Sequence, residues 1–141
     1  MRMVNATSRA APERTAVPGA DGLPLALDVW NAQGSPCLLF AHGFGQTRQA
    51  WNGSAGALAA NGMRCASFDM RGHGQRDYPA DPSAYSEAAT VADMAAILDA
   101  VGAKSAVIGG LSLGGYMSLA FHRVHASRTN ALLIIDTGPG F

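Results

Sequence analysis

Short apolar runs alternate with helical patterns along this chain, and that alternation predicts a parallel β-sheet covered on both faces. The clearest run is residues 36–41, which are continuously apolar, as expected for a strand buried on both faces. Similar runs at residues 64–68, 105–109 and 131–135 predict further strands. We therefore expect an α/β fold with a mostly parallel sheet.

The remaining segments complete the predicted order of elements. Residues 13–17 and 23–30 are joined by an Asp-Gly pair, which is typical of a hairpin turn. Thr90 and Asp93 have the spacing of a helix-capping box. Helices are predicted over residues 48–60, 90–101 and 114–125, and the second of them has its apolar residues on one face.

A length of 141 residues is enough for one domain with a sizeable core. We expect residues 13–141 to form the N-terminal part of one α/β domain, and residues 1–12 to form a mobile tail. The chain stops six residues after the last predicted strand. The sheet is therefore expected to be cut off after its sixth strand.

Composition and charge narrow the class of partner. The chain is 48% hydrophobic and 14% charged, and ten basic residues balance ten acidic ones. This balance argues against nucleic acid and anionic membrane as partners, and no apolar stretch approaches the length of a membrane span. Cys37 and Cys65 lie in predicted strands, which favours free buried thiols over a disulfide. We expect a small, mostly uncharged substrate and, by default, a cytoplasmic location.

The segment Gly-Leu-Ser-Leu-Gly at residues 110–114 lies between a predicted strand and a predicted helix. In that context it predicts a nucleophile elbow, in which Ser112 sits on a sharp turn that exposes its hydroxyl. Glycine is needed two positions to either side, because larger side chains would meet the neighbouring strand and helix. The alternative interpretation is a glycine-rich turn with an incidental serine.

A second segment, His-Gly-Phe-Gly at residues 42–45, follows the third predicted strand. Its position suits a donor to an oxyanion, and we expect the pair of donors to be the backbone N–H groups of Phe44 and Leu113. His42 and Gly43 would support this loop. For His42 a structural imidazole is favoured over a catalytic one, because it precedes the nucleophile in the chain.

Three motifs together resemble the α/β-hydrolase superfamily in content and order: residues 42–45, residues 69–74 (Asp-Met-Arg-Gly-His-Gly) and residues 110–115. The second motif is similar to that of esterases, lactonases, carbon-carbon bond hydrolases and non-haem haloperoxidases, although Arg76 stands where many relatives have serine. The resemblance implies an α/β-hydrolase-type sheet and a serine hydrolase that acts on an ester, lactone or related carbonyl. It implies no metal and no organic cofactor.

The resemblance also implies that an acid and then a histidine follow the nucleophile. The last histidine is His125, and it shares the predicted helix with His122, so both should point away from the nucleophile. His73 in a loop is a weaker candidate base. Asp136, just past the last predicted strand, is either the triad acid or a residue that orders the following loop.

Two other classes of function stay open. The chain could be a ligand-binding protein on the same scaffold, or a fragment without a function of its own. In either case residues 131–135 would form an apolar strand at the edge of the sheet. We therefore expect the isolated chain to be poorly soluble, to self-associate through this last strand, or to stay partly unfolded toward its C-terminus.

Overall fold

The computed structural model describes residues 11–74 and 81–137. This part of the chain contains six strands, β1 to β6, at Glu13–Pro18, Pro24–Trp30, Cys37–Ala41, Arg64–Phe68, Ala106–Leu111 and Thr129–Ile135. It contains three α-helices, α1 to α3, at Asn52–Ala60, Glu87–Ala100 and Leu113–Val124. Short 3-10 helices lie at Arg48–Trp51, Pro82–Tyr85 and Ala126–Arg128. Most of the predicted tail, and Arg76, lie outside the described residues.

The strands form a single sheet in the order β1-β2-β4-β3-β5-β6. The pairs β3–β4, β3–β5 and β5–β6 are parallel, whereas the hairpin β1–β2 and the pair β2–β4 are antiparallel. The predicted α/β fold with a mostly parallel sheet is confirmed. Because β3 and β5 are adjacent and parallel, the segments that follow them lie next to each other at the carboxyl ends of the strands.

Each face of the sheet carries its own apolar core. On one face, α2 and α3 cover a cluster that includes Leu39, Phe68 and Ile108. On the other face, α1 covers a smaller cluster in which the rings of Phe40 and Trp51 stack with centroids 4.5 Å apart. Both faces of β3 are therefore buried, as its continuous apolar sequence predicts.

The start of α2 differs from the prediction. The helix begins at Glu87, and the N-cap is Ser86, whose hydroxyl accepts a hydrogen bond from the Ala89 N–H at 3.1 Å. Thr90 and Asp93, the predicted capping pair, are instead buried inside the helix. The prediction of a capping box is wrong, because the Asp93 carboxylate pairs with a charged partner, Arg71, in the loop that follows β4.

The two cysteines lie on adjacent strands but belong to different faces of the sheet. Cys37 packs in the larger apolar cluster and Cys65 in the smaller one. Both are buried free thiols, as expected. Burial raises the pKa of the Cys37 thiol above its ordinary value, and it raises that of Cys65 to about 11.

Within the described residues, β6 pairs only with β5 and lies at one edge of the sheet. Leu133 and Ile135 are 40% and 39% exposed, so apolar side chains remain in contact with solvent there. The other edge is β1, which has mostly exposed polar positions. No helix in the described ranges is both long and apolar enough to cross a membrane.

Candidate active site

Ser112 is the single residue between the end of β5 and the start of α3. Its backbone has φ 55° and ψ −116°, a region that non-glycine residues occupy at a cost of about 1–3 kcal/mol. Hydrogen bonds on both sides hold this conformation: the Ser112 N–H donates to the Ile135 carbonyl at 2.9 Å, and the Ser112 carbonyl accepts from the Tyr116 N–H at 3.1 Å. The sharp turn predicted for this residue is present.

The glycines around Ser112 make the turn sterically feasible. A Cβ on Gly110 would collide with the Gly114 carbonyl group in the first turn of α3. A Cβ on Gly114 would collide with the Ala41 carbonyl oxygen, at the end of β3. These contacts match the physical reason for which glycine was expected at both positions. Glycine at 110 lets α3 lie close to the end of β5, and glycine at 114 lets it lie close to the end of β3.

The loop after β3 forms a tight turn beside the elbow. The Gln46 N–H donates to the Gly43 carbonyl at 3.1 Å, and Gly45 has φ 77°, as the third residue of a type II turn requires. The Gln46 side-chain oxygen accepts from the Gly43 N–H at 2.8 Å. Phe44 is the second residue of the turn, and neither of these two hydrogen bonds uses its N–H. Sequence reasoning missed Gln46.

His42 anchors this turn from below. Its Nε2 accepts from the Met70 N–H at 3.0 Å, so its Nδ1 carries the proton and donates to the Gly43 carbonyl at 2.8 Å. The side chain is fully buried, and desolvation lowers the pKa of His42 below its ordinary value. With both ring nitrogens bonded to the backbone, His42 has the structural arrangement favoured from the sequence.

Two backbone N–H groups near the pocket take no part in the hydrogen bonds described for their own turn or helix, and they are the predicted oxyanion donors. Leu113 is the first residue of α3, where the helix provides no acceptor for its N–H and the helix dipole favours negative charge. Phe44 contributes the N–H that the loop turn does not use. Their joint action on an oxyanion stays a prediction.

Two arginines, each with at least one buried carboxylate partner, fix the loop that follows β4. Arg71, whose side chain is only 2% exposed, forms two hydrogen bonds with Asp93 at 2.6 and 2.8 Å and two with Asp21 at 2.7 Å. Arg48 connects Asp28 and Asp69 at 3.0 and 2.8 Å. Sequence reasoning did not identify these pairs, because their members lie at least twenty residues apart in the chain.

These bonds shift the ionisation of the groups concerned. The hydrogen bonds that Arg71 donates to Asp93 and then to Asp21 raise the pKa of Arg71 above its ordinary value. In return, the Arg71 guanidinium holds the pKa of the Asp21 carboxyl well below its usual range. Arg71 and Asp21 therefore remain charged near neutral pH.

A cavity of about 650 Å³ opens beside the elbow. Ser112 is not itself in its wall, which begins at the next residue, Leu113. The wall is mostly apolar or aromatic and consists of Phe44, Met70, Arg71, Gly72, His73, Tyr85, Thr90, Leu113 and Met117. Its volume is that of a pocket for a small organic molecule.

The other three histidines lie at different distances from the nucleophile. His122 is ten residues beyond Ser112, about 15 Å along α3, and His125 stacks on Phe121 at the far end of that helix. His73 lies in the pocket wall, where its Nδ1 is 3.1 Å from the Arg71 carbonyl. The Ser112 hydroxyl has no side-chain hydrogen bond to a described residue.

Asp136 follows β6 directly, and β6 is in register with the end of β5. Leu111 pairs with Ile135, so the backbones of Ser112 and Asp136 both lie one residue past the carboxyl ends of these two paired strands. Asp136 is exposed and has φ 55°. Its role as acid or as loop residue stays open.

No group of three or more His, Cys, Asp or Glu side chains suited to a metal ion is present in residues 11–74 and 81–137. We therefore assign no residues to a metal or a cofactor. The expectation that none is needed stays an expectation.

Comparison with known proteins identifies relatives of this chain. Residues 36–140 match the model of the α/β-hydrolase fold family. An epoxide hydrolase of Caballeronia sordidicola is 38% identical over 64% of this chain and 27% of its own length. A putative 2-succinyl-6-hydroxy-2,4-cyclohexadiene-1-carboxylate synthase of Bacillus subtilis is 29% identical over 86% of this chain and 43% of its own length.

Solved structures give the same result. Epoxide hydrolase A from Mycobacterium thermoresistibile has a TM-score of 0.82 and 27% identity, over 87% of this chain and 38% of its own. The chain thus spans less than half the length of these relatives. Together, the elbow, the sheet order and the family match show that this chain belongs to the α/β-hydrolase family.

Proposed function

We propose that this chain carries the nucleophile of an acyl hydrolase that cleaves an ester, lactone or related carbonyl compound. The observation that carries the proposal is Ser112 alone between β5 and α3, held at φ 55° at the start of a helix. A hydroxyl in that position stands clear of the backbone and beside the partial positive charge of the helix. The reaction class follows from the serine itself.

In this reaction the Ser112 Oγ attacks the carbonyl carbon, and the carbonyl π-electrons move to oxygen. The N–H groups of Leu113 and Phe44 stabilise the resulting oxyanion. Collapse of the intermediate breaks the bond to the leaving alcohol and leaves an acyl ester on Ser112. Water then hydrolyses that ester. The serine proton must pass to a base and on to the leaving alkoxide.

The fixed turn after β3 supports this proposal. Because His42 and Gln46 hold the peptide on either side of Gly43, the Phe44 N–H does not have to reorganise when charge develops. Removal of one such donor typically lowers the rate about a hundredfold to a thousandfold.

Epoxide hydrolysis is the alternative that the names of several relatives raise. Attack of a serine oxygen on an epoxide carbon would open the ring and form a carbon-oxygen ether. An ether has no carbonyl carbon for water to attack, so the enzyme would be blocked after one event. The acyl ester of serine, in contrast, can be hydrolysed. Ser112 therefore favours carbonyl substrates.

We assign no general base for Ser112 among the described residues. Because the hydroxyl has no imidazole partner among them, we expect no Ser112-dependent turnover of 4-nitrophenyl acetate by this chain. Clear turnover that Ser112→Ala abolishes would contradict this expectation and would point to His73 or to a partner chain. If a longer reading frame exists, we expect its product to restore labelling of Ser112 by a fluorophosphonate.

The test of the proposal replaces the serine by a nucleophile that needs no base. A cysteine thiol ionises by itself near a pKa of about 8.5. We would compare Ser112→Cys with Ser54→Cys, an exposed serine in the first turn of α1. Reaction with 4-nitrophenyl butyrate at about that pH is followed by nitrophenolate release and intact mass. Cys37 and Cys65 should stay silent, because burial raises the pKa of each.

We expect Ser112→Cys to be acylated at least about a hundredfold faster than Ser54→Cys, because only position 112 has both donors. Equal rates in two folded variants would overturn the proposal. Catalytic formation of a diol from styrene oxide by the wild-type chain, lost in Ser112→Ala, would favour epoxide hydrolysis instead.

A further inference from the structure

We propose that the pocket beside the elbow accepts a neutral, apolar acyl group and rejects an acyl group that ends in a carboxylate. This inference rests on the proposed acylation of Ser112, and it adds the class of substrate. It is carried by the position of the pocket, the chemistry of its wall and the ion pairs of Arg71.

The pocket is placed to hold the acyl part of a substrate. Its wall begins at Leu113, directly after the nucleophile, and continues along α3 to Met117. These two residues are four positions apart and therefore lie on the same face of the helix. The acyl group stays bonded to Ser112 after the alcohol has left, so the space adjoining the elbow serves it in both halves of the reaction.

The wall offers an apolar group more contacts than a polar one. Leu113 and Met117 on α3 face the pocket together with Met70 from the loop after β4, and Phe44 lies at its exposed rim. Unbranched thioether side chains adapt to irregular apolar ligands. Each additional methylene that such a wall removes from water should improve binding about fourfold.

The charge of the wall disfavours anions. Among the described wall residues Arg71 is the only lysine or arginine, and its guanidinium forms four hydrogen bonds with Asp21 and Asp93. One cation beside two carboxylates gives this group a net negative charge. A substrate carboxylate would therefore lose water without gaining the arginine as its partner. The wall is unsuited to an acid group such as the one that the name of the Bacillus subtilis relative contains.

The experiment compares esters that share one leaving group. The 4-nitrophenyl esters of acetic, butyric and hexanoic acid form a neutral series, and the hemisuccinate adds a terminal carboxylate at nearly constant length. Acylation of Ser112→Cys is measured for each at about pH 8.5, where an imidazole is ordinarily neutral. Nitrophenolate release by each ester without protein, which includes attack of the hemisuccinate carboxylate on its own ester, is subtracted first. Each remaining rate is then divided by the rate of Ser54→Cys with the same ester, which removes the intrinsic reactivity of the reagent.

We expect the normalised rate to rise from acetate to hexanoate by about fourfold for each methylene that becomes buried. We expect the hemisuccinate to fall at least about tenfold below butyrate, because its carboxylate would be desolvated without a partner. A flat neutral series, or a hemisuccinate as fast as butyrate, would overturn the inference.

A positive charge introduced into the wall provides the second test. In the Ser112→Cys background, Met117→Lys should reduce the preference for butyrate over the hemisuccinate at least about tenfold, since a new ammonium would pair with the carboxylate. Val124→Lys is the matched control. Val124 is 68% exposed and is the last residue of the same helix, so this substitution should leave the ratio unchanged. Met117→Gln, which removes the apolar contact without a charge, should weaken hexanoate but not favour the hemisuccinate.

The two proposals fail in different ways. If Ser112 is not an acyl acceptor, Ser112→Cys will be no faster than Ser54→Cys with any of the esters. If only the inference about the pocket is wrong, the acceleration will appear without a preference for length or charge.

Discussion

The substitution Gly114→Ala tests whether the elbow depends on close contact between α3 and β3. The added Cβ would collide with the Ala41 carbonyl oxygen and lie 2.6 Å from the His42 carbonyl oxygen. Both are backbone atoms, which cannot rotate away as a flexible side chain can. The start of α3 would have to move. Overpacking of this kind costs about 1–3 kcal/mol.

Helix propensity acts in the opposite direction and must be subtracted. Alanine is favoured over glycine within a helix by about 1 kcal/mol. The contacts involve backbone on both sides, so we take the upper part of the overpacking range. The free energy of unfolding should then fall by about 2 kcal/mol, a value that urea unfolding followed by circular dichroism can measure.

Gly53→Ala is the matched control for this prediction. Gly53 is an exposed residue of α1, and a Cβ added there would meet no atom within 4 Å. This variant should gain about 0.5–1 kcal/mol. If Gly114→Ala gains as much as Gly53→Ala, the close approach of α3 to β3 does not exist in solution and the reasoning about the elbow is refuted.

Three further predictions concern the ion pairs, the buried histidine and the last strand. Arg71→Met leaves Asp93 buried without its cation and should cost about 3–5 kcal/mol, and the further change Asp93→Asn should recover part of this loss; no recovery would contradict the pairing. The pKa of His42 is lowered in the folded chain, so its contribution to stability is complete above the unfolded value of 6.5 and is lost as the pH falls below it. In urea unfolding, the free energy of unfolding should fall by at most about 1.4 kcal/mol for each unit of pH decrease because of this group. His42→Asn should abolish this fall, and His125→Asn should not. The exposed apolar edge at β6 should let the isolated chain self-associate, and Leu133→Lys should oppose this in light scattering after size-exclusion chromatography; a monodisperse wild-type monomer would refute it.

The elbow and most strands could be predicted from the sequence because their causes are local. A run such as residues 36–41 is apolar at every position, which only a strand buried on both faces requires. The glycines at 110 and 114 report directly on the space around Ser112. The strand Arg64–Phe68 was predicted with the same bounds, since an Asn-Gly pair ends the preceding helix.

The ion pairs could not be predicted, because they join residues distant in the chain. Asp93 has the spacing of a capping residue, yet its partner Arg71 is 22 residues away, and Asp21 is a further 50 from Arg71. Such contacts exist only after the hairpin, the loop after β4 and α2 have come together. Tertiary pairing of a buried charge then outweighs a local cap.

The contact between Gly114 and the Ala41 and His42 carbonyls has a consequence for how the site moves. It joins the turn after β3 to the first turn of α3 across more than seventy residues of sequence, with no side chain between them. A fluctuation that lifts α3 from the sheet therefore removes the support of the Phe44 loop at the same moment. The amide hydrogens of Gln46 and Tyr116 are hydrogen-bonded in these two turns, and we expect them to exchange with solvent deuterium through a shared opening rather than independently.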